Sequence, residues 1–404
     1  MKFLIVTDAY FPNNSSVSVL LSDLAQEFIA QSIEVDILVS VSGQDLPIKI
    51  WNHEGCEVIS VNALKTKDIT YTRRTIHELV NPWHIWSLLK KDPNFMSKHY
   101  DGIIWYSPTI FWGPLIKRLK RKFQCRSYLI LRDIFPDWAL HVGVLKKGLV
   151  YWFFKMVEQY QYRQADRIGI QSPNNLKYFQ KHHPAASKRA QVLWNWSAKL
   201  PESTPQNCSI NISNTSLKDK IIFVYAGNLG VAQGGANALS ALANQLRGNL
   251  ELGFLVVGRG SAIDELRDQV AANNLSNILV FDEIDATQMP SLLKQCHAGL
   301  VFLDMRHQTH NIPGKFLTYV QSRLPALAWV NPGNDLVDLI NTNELGFAYS
   351  GNDPLQFSRI AEQLLIRCQE SRLSFENYER CIDDLFAPKN AAEQIITSLK
   401  ENSV

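Results

Sequence analysis

The chain has 404 residues, 46% of them apolar and 20% charged; that length exceeds one ordinary core and suits two α/β domains. This composition excludes disordered and fibrous classes. The formal net charge of +3 falls far short of the basic face that nucleic acid demands, so no nucleic-acid partner is expected.

Read from the start, Met1 to Val6 is a short apolar run that meets acid at Asp8, too early for a signal peptide. It reads as a buried first strand. No apolar stretch reaches 18 residues, so no transmembrane helix is predicted and a cytoplasmic protein is expected. Strand-like runs follow at 35–39, 56–61, 102–106, 128–131 and 167–171. Helical stretches lie between them, one with the stripe Leu20, Leu24 and Phe28, others at 114–123 and 148–163. Such alternation marks parallel α/β sheets. Residues 197–216 carry Pro201, Pro205 and many Ser, Asn and Thr, which suits a linker or exposed loop. The alternation restarts at 221–225 and continues with strands at 252–257, 278–281, 299–303 and 326–330. Helices are expected at 236–247, 262–273, 288–294 and 313–322. The expected division is 1–200, 201–385 and a final helical segment, 386–404, able to pack back on the first domain.

Three loops after predicted strands carry candidate chemistry. His310-Asn311-Ile312-Pro313-Gly314-Lys315 opens a helix, with Pro313 expected at its first position. Free N–H groups there, with the helix dipole, favour a phosphate. Lys315 adds a full charge, worth roughly 4 kcal/mol at about 4 Å and an effective dielectric of about 20 before desolvation. Gly227-Asn228-Leu229-Gly230 through Gln233-Gly234-Gly235 lets backbone approach a ligand closely, although a flexible turn explains it nearly as well. Arg259, in Gly258-Arg259-Gly260, offers a planar fork to phosphate or carboxylate. A dinucleotide fingerprint is broken by Ala262-Ile263, so NAD binding is disfavoured.

In the first half, Asn13-Asn14-Ser15-Ser16 offers donors or a helix N-cap. Asp133 or Asp137, in Arg132-Asp133-Ile134-Phe135-Pro136-Asp137, is placed to orient an acceptor hydroxyl, to cap, or to pair with Arg132. The pair His182-His183 before Pro184 reads as surface loop. The six cysteines are scattered, and ten histidines form no array, so no disulfide framework, metal or cofactor is expected. Trp83, Trp86, Lys90, Lys91, then Lys146, Lys147, Tyr151, Trp152, Phe153, Phe154 and Lys155 interleave aromatic and basic residues. That pattern suits an anionic bilayer surface; the alternative is a buried helix face for Trp152 and Phe153.

Gly227-Asn228-Leu229-Gly230, the Arg132–Asp137 run and Asn311-Ile312-Pro313-Gly314-Lys315 together resemble retaining glycosyltransferase family 4, over nearly the whole chain, and within it the WbuB-type branch of L-fucosamine transferases in O-antigen assembly. The resemblance implies a GT-B fold, two Rossmann-like α/β domains facing a central cleft, with the acceptor held by the N-terminal domain, 1–200, and the nucleotide sugar held mainly by the C-terminal domain, 201–385. It implies a UDP- or dTDP-linked sugar donor, no obligatory metal, and an undecaprenyl-diphosphate-linked saccharide acceptor at the inner face of the plasma membrane. Catalytic roles fall to Lys315, Arg259 and Asp133. Donor contacts fall to Asn14, Gly227, Asn228, Gly230, Gln233, Glu283, Ile284, Asn311, Pro313, Gly314 and Thr318, with the Asp282–Ile284 main chain meeting the base. The two glutamates common in the family are replaced here by His310 and Thr318. That departure keeps two alternatives open: a non-catalytic nucleotide-sugar-binding subunit and a sugar-nucleotide epimerase of the same fold.

Overall fold

The computed structural model describes residues 1–13, 15–107, 109–199, 208–230, 234–370 and 375–401. They form two compact units: Met1–Trp196 together with the chain from Pro388 onward, and Ser197–Ala387. The first unit therefore ends at Trp196 and regains the chain at Pro388. Within the stretch read as a linker, Ile210 and Ile212 are buried, and Gln295 Oε1 accepts from Ile212 N at 2.9 Å, so this part packs on the second unit.

The first unit holds β1 (Lys2–Thr7), β2 (Glu34–Val41), β3 (Ile48–His53), β4 (Cys56–Asn62), β5 (Gly102–Ser107), β6 (Arg126–Leu131), β7 (Arg167–Ile170) and β8 (Ala190–Val192) in the order β3-β4-β2-β1-β5-β6-β7-β8. All neighbours are parallel except β3, which pairs antiparallel with β4. Phe3, Leu4, Ile5 and Val6 are wholly buried, as a central strand covered on both faces requires. With the period of two, Phe3 and Ile5 pack on Leu24 and Phe28 and on Ala392, Ile395 and Leu399 of the helix Pro388–Lys400. Leu4 and Val6 face Leu115 and Leu119 of the helix Gly113–Phe123.

Several elements escaped the sequence reading, and two of them show why. Edge strand β3 alternates without a buried face, and the helix Tyr71–Leu89 carries Pro82 internally with few buried positions. Weak patterning hides both. The second unit holds β9 (Ile221–Ala226), β10 (Leu252–Gly258), β11 (Ile278–Asp282), β12 (Ala298–Phe302), β13 (Ala326–Trp329) and β14 (Gly346–Tyr349), all parallel, in the order β11-β10-β9-β12-β13-β14.

Candidate functional site

In the second sheet, β10 and β11 lie on one side of β9 and β12 to β14 on the other. The winding direction reverses between β9 and β12, and open α/β sheets bind ligands outside the carboxyl ends of strands at such a reversal. Lys315 stands there. It is the second residue of the helix Gly314–Gln321 after β12, and its Nζ donates to the Tyr225 hydroxyl at 2.7 Å. Tyr225, on β9, donates onward to Asn228 O at 2.8 Å. The Lys315 ammonium also lies 4.0 Å from the Tyr225 ring centroid. That ring face favours the charged form, but burial dominates and pushes the ammonium down to about 7.

The helix start differs from expectation by one residue. Pro313 is extended (φ −62°, ψ 136°) and precedes the first helical residue, Gly314. Among the described residues no side chain caps this end and no acid occupies its first turn; Phe316 N donates to Pro313 O at 3.0 Å, and the N–H groups of Gly314 and Lys315 are the ones placed for an anion. The preceding loop is tied down from the turn after β13. Asn331, fully buried, donates to His307 O at 3.1 Å and Thr309 O at 3.3 Å. Asn334 Nδ2 donates to Asn311 O at 3.1 Å while its Oδ1 accepts from Leu336 N at 3.0 Å. Asn311 is thus fixed through its carbonyl. His310 stands beside Asn331 and Gly333, and burial lowers its pKa. Thr318, half-buried, turns its hydroxyl toward Gly314 O at 3.5 Å.

The glycine loops after β9 and β10 are packed against each other. Gly227 N donates to Val257 O at 2.9 Å and Leu229 N to Arg259 O at 2.7 Å. A Cβ on Gly258 would meet Gly227 O at 1.9 Å, and one on Gly260 would meet Leu229 O at 2.4 Å. Backbone meeting backbone therefore explains Gly258 and Gly260. Gly227 (φ +116°) and Asn228 remain exposed, with the Lys315 chain beside Gly227; Gly230 is half-buried. Arg259 comes to Glu283, at 3.1 Å, both side chains more than half exposed. Ile284 follows, half-buried. The structure thus brings Lys315 to Gly227 and Asn228, and Arg259 to Glu283. Asn14 and Gln233 lie outside the described residues.

Asp133 belongs to the first unit, exposed just past β6. Asp137 does not serve as a free carboxylate: it is buried and accepts from Tyr151 at 2.9 Å, Lys155 at 3.1 Å and Tyr178 at 3.2 Å. Lys155 beside it offsets burial and holds its carboxyl below the usual range. Nor does Arg132 pair with it; Arg132 donates to Leu193 O at 2.9 Å and faces the Trp196 ring. His183, read as surface, is buried against Phe179, and desolvation pushes its imidazole down to about 3. Lys155 and Tyr151, read as interfacial, join this cluster, whereas Trp152 is exposed, against the alternative of a buried face. On the N-terminal loop, Ser15 accepts from Ser18 N at 3.2 Å as a helix N-cap. Sequence reasoning missed Tyr225, Asn331 and Asn334. Tyr225 was legible as the residue entering the glycine loop; the asparagines gave no signal.

No protein-family model matches the chain. Two curated proteins are similar: WbjE of Pseudomonas aeruginosa, named a glycosyltransferase, is 24% identical over 58% of this chain and 59% of its own length. WcaI of Escherichia coli K12, named a colanic acid biosynthesis glycosyl transferase, is 26% identical over 49% of this chain and 50% of its own. The chain thus spans little more than half the length of the curated relatives it matches. Among solved structures, Anabaena HepE in complex with UDP and glucose superposes with a TM-score of 0.67 at 15% identity, covering 99% of both chains. Likeness of that extent over two parallel-sheet units gives the chain the α/β fold of GT-B glycosyltransferases.

Proposed function

We propose that the protein is a glycosyltransferase of surface-polysaccharide assembly, moving a deoxyamino sugar from a UDP- or dTDP-linked donor to a lipid-linked saccharide with retention. The observation that carries this reading is Lys315, half-buried and packed against Tyr225 beside an uncapped helix start at the switch point of the second sheet. A departing nucleoside diphosphate meets there one ammonium and the N–H groups of the helix start at Gly314 and Lys315, which stabilise its growing charge electrostatically. Arg259, Asn311, Pro313, Gly314 and Thr318 would line the donor, the base would meet Glu283 and Ile284, and Asp133 would orient the acceptor. The UDP in the HepE complex and the polysaccharide named for WcaI support this direction.

Donor turnover tests it. Lys315→Ala lowers transfer by about a hundredfold with the fold intact, read by mass spectrometry of a membrane extract supplied with nucleotide sugars; near-normal transfer removes the assignment.

No helix among the described residues is long and apolar enough to cross a membrane. Attachment to an anionic surface would run through the helix Leu149–Gln164, where Leu149, Trp152 and Met156 are exposed and Lys147 lies 6.0 Å from the Trp152 ring. Trp83, also exposed, carries Arg118 at 5.5 Å. Each basic residue near such a surface adds about 1 kcal/mol. Lys147→Glu is expected to weaken cosedimentation with phosphatidylglycerol vesicles by about fivefold or more; unchanged binding excludes this face.

A further inference from the structure

The helix Leu149–Gln164 is amphipathic the wrong way round. All five of its buried residues carry a polar group: Tyr151, Lys155, Glu158, Gln161 and Tyr162. Leu149, Val150, Trp152 and Met156 are exposed instead. Spaced three and four apart, Tyr151, Lys155, Glu158 and Tyr162 form one inward stripe. Apolar burial alone would roll such a helix to hide its opposite face. Its roll is therefore set by polar partners inside, and the proposed donor chemistry uses none of them.

Those partners surround Lys155. Its Nζ stands 2.6 Å from Glu158 Oε2, 3.1 Å from Asp137 Oδ1 and 3.4 Å from His183 Nε2, around an ammonium that has three N–H groups to offer. The Tyr162 hydroxyl donates to Glu158 Oε1 at 2.9 Å. Asp137 also accepts from the hydroxyls of Tyr151 at 2.9 Å and Tyr178 at 3.2 Å. The cluster thus joins three short stretches of chain: the helix Asp137–His141, the helix Leu149–Gln164, and the helix Pro173–His182 with His183 after it. Its charges balance. Burial pushes Glu158 up to about 8 and the His183 imidazole down to about 3, so at neutral pH one carboxylate, Asp137, faces one ammonium.

Asp137 also closes the turn that begins at Arg132. At the near end Arg132 donates to Leu193 O at 2.9 Å; at the far end Asp137 is held by the cluster. Between them Ile134 is buried and Asp133 is exposed. Buried charges add little to stability that well-packed apolar residues would not supply, and their best-attested use is to fix one register among several. We propose that Lys155 and Asp137 are positioning residues, which fix the roll of the helix Leu149–Gln164 and tie the turn to it so that Asp133 meets the acceptor hydroxyl in one place. This rests on the glycosyltransferase reading for the role of Asp133; the link between helix and turn stands on the cluster alone. Both residues act through Asp133.

The test uses the full chain carrying Asp137→Asn with Lys155→Met, a pair that removes both charges together and leaves neither unpaired in the interior. Hydrogen exchange is expected to quicken at amides 133–138 while β1 and β5 keep their protection, which shows that the first unit is folded. Transfer, read by mass spectrometry of a membrane extract supplied with nucleotide sugars, falls by about tenfold or more, the scale of a misplaced reacting group. The donor KM is unchanged. Slow hydrolysis of the donor by water is also unchanged, since it needs no acceptor hydroxyl. Added to Asp133→Asn, the pair lowers transfer no further, because residues that act through one another are not additive. If the pair costs β1 and β5 their protection, Tyr151→Phe with Tyr178→Phe, which takes only two hydroxyls from Asp137, decides under the same expectations. Unchanged exchange at 133–138, parental transfer by Asp133→Asn, or a further fall in transfer on that background overturns the inference and leaves the donor reading standing. Quickened exchange at 133–138, with no transfer by the parent from any nucleotide sugar, supports the link and overturns the glycosyltransferase reading.

Discussion

Desolvation and the Tyr225 ring pull the Lys315 ammonium in opposite directions, and desolvation prevails, at about 7. A diphosphate beside it restores the charged form and raises the value again. Between about 7 and that raised value the free protein lacks a proton that the complex carries, so binding takes up about one proton and weakens as pH rises through this window. Titration calorimetry of UDP at pH 8 in buffers of different ionisation enthalpy reads the uptake directly. The uptake is expected to vanish in Lys315→Met; the same uptake in that variant would sink the assignment. The folded-state sign follows as well. Because the folded value lies below the ordinary lysine value, the unfolded chain holds more protons from about 7 to about 10.5, and this residue's contribution to stability rises with pH across that span.

At the scale of elements, glycines with similar appearance in the sequence do different things. Gly258 leaves β10 against the Gly227 carbonyl, where a Cβ would stand at 1.9 Å, and neither backbone can yield cheaply. Gly258→Ala is expected to cost about 3 kcal/mol in chemical denaturation, at the upper end of overpacking effects. Gly314 has nothing within 4 Å of a built Cβ. Gly314→Ala is expected to leave stability unchanged or raise it by about 0.5 kcal/mol through the unfolded state, while weakening UDP binding by crowding the anion. Equal binding in parent and Gly314→Ala would argue that no ligand approaches this helix start.

At the scale of the molecule, the last described helix, Pro388–Lys400, belongs to the first unit although the second unit intervenes in sequence. Ile395 is wholly buried among Phe3, Ile104 and Tyr128. Gly102 is small because Leu399 and Phe3 occupy the space of its Cβ. Ile395→Ala is expected to cost about 2–4 kcal/mol, the range for a large-to-small change in a packed core. Hydrogen exchange locates the effect: amides of β1, β5 and β6 exchange faster, while β9 to β13 keep their protection. Acceleration in both units would show that stability is not partitioned as the packing indicates.

By itself, the order of apolar runs determined that this chain builds two parallel-sheet units, because central strands buried on both faces leave continuous hydrophobic segments that periodicity detects. It also placed Lys315 at a helix start, since proline, glycine and a preceding strand constrain backbone locally. Strand β3 and the helix Tyr71–Leu89 stayed hidden because half-exposed elements carry weak patterns. Tertiary structure alone decided which polar residues are free. Asp137 and His183 looked available and are consumed by a buried cluster, whereas Asp8 looked like the end of a strand and faces a cavity. Partnership is a property of residues distant in sequence, set by which strands neighbour which, and no local spacing encodes it.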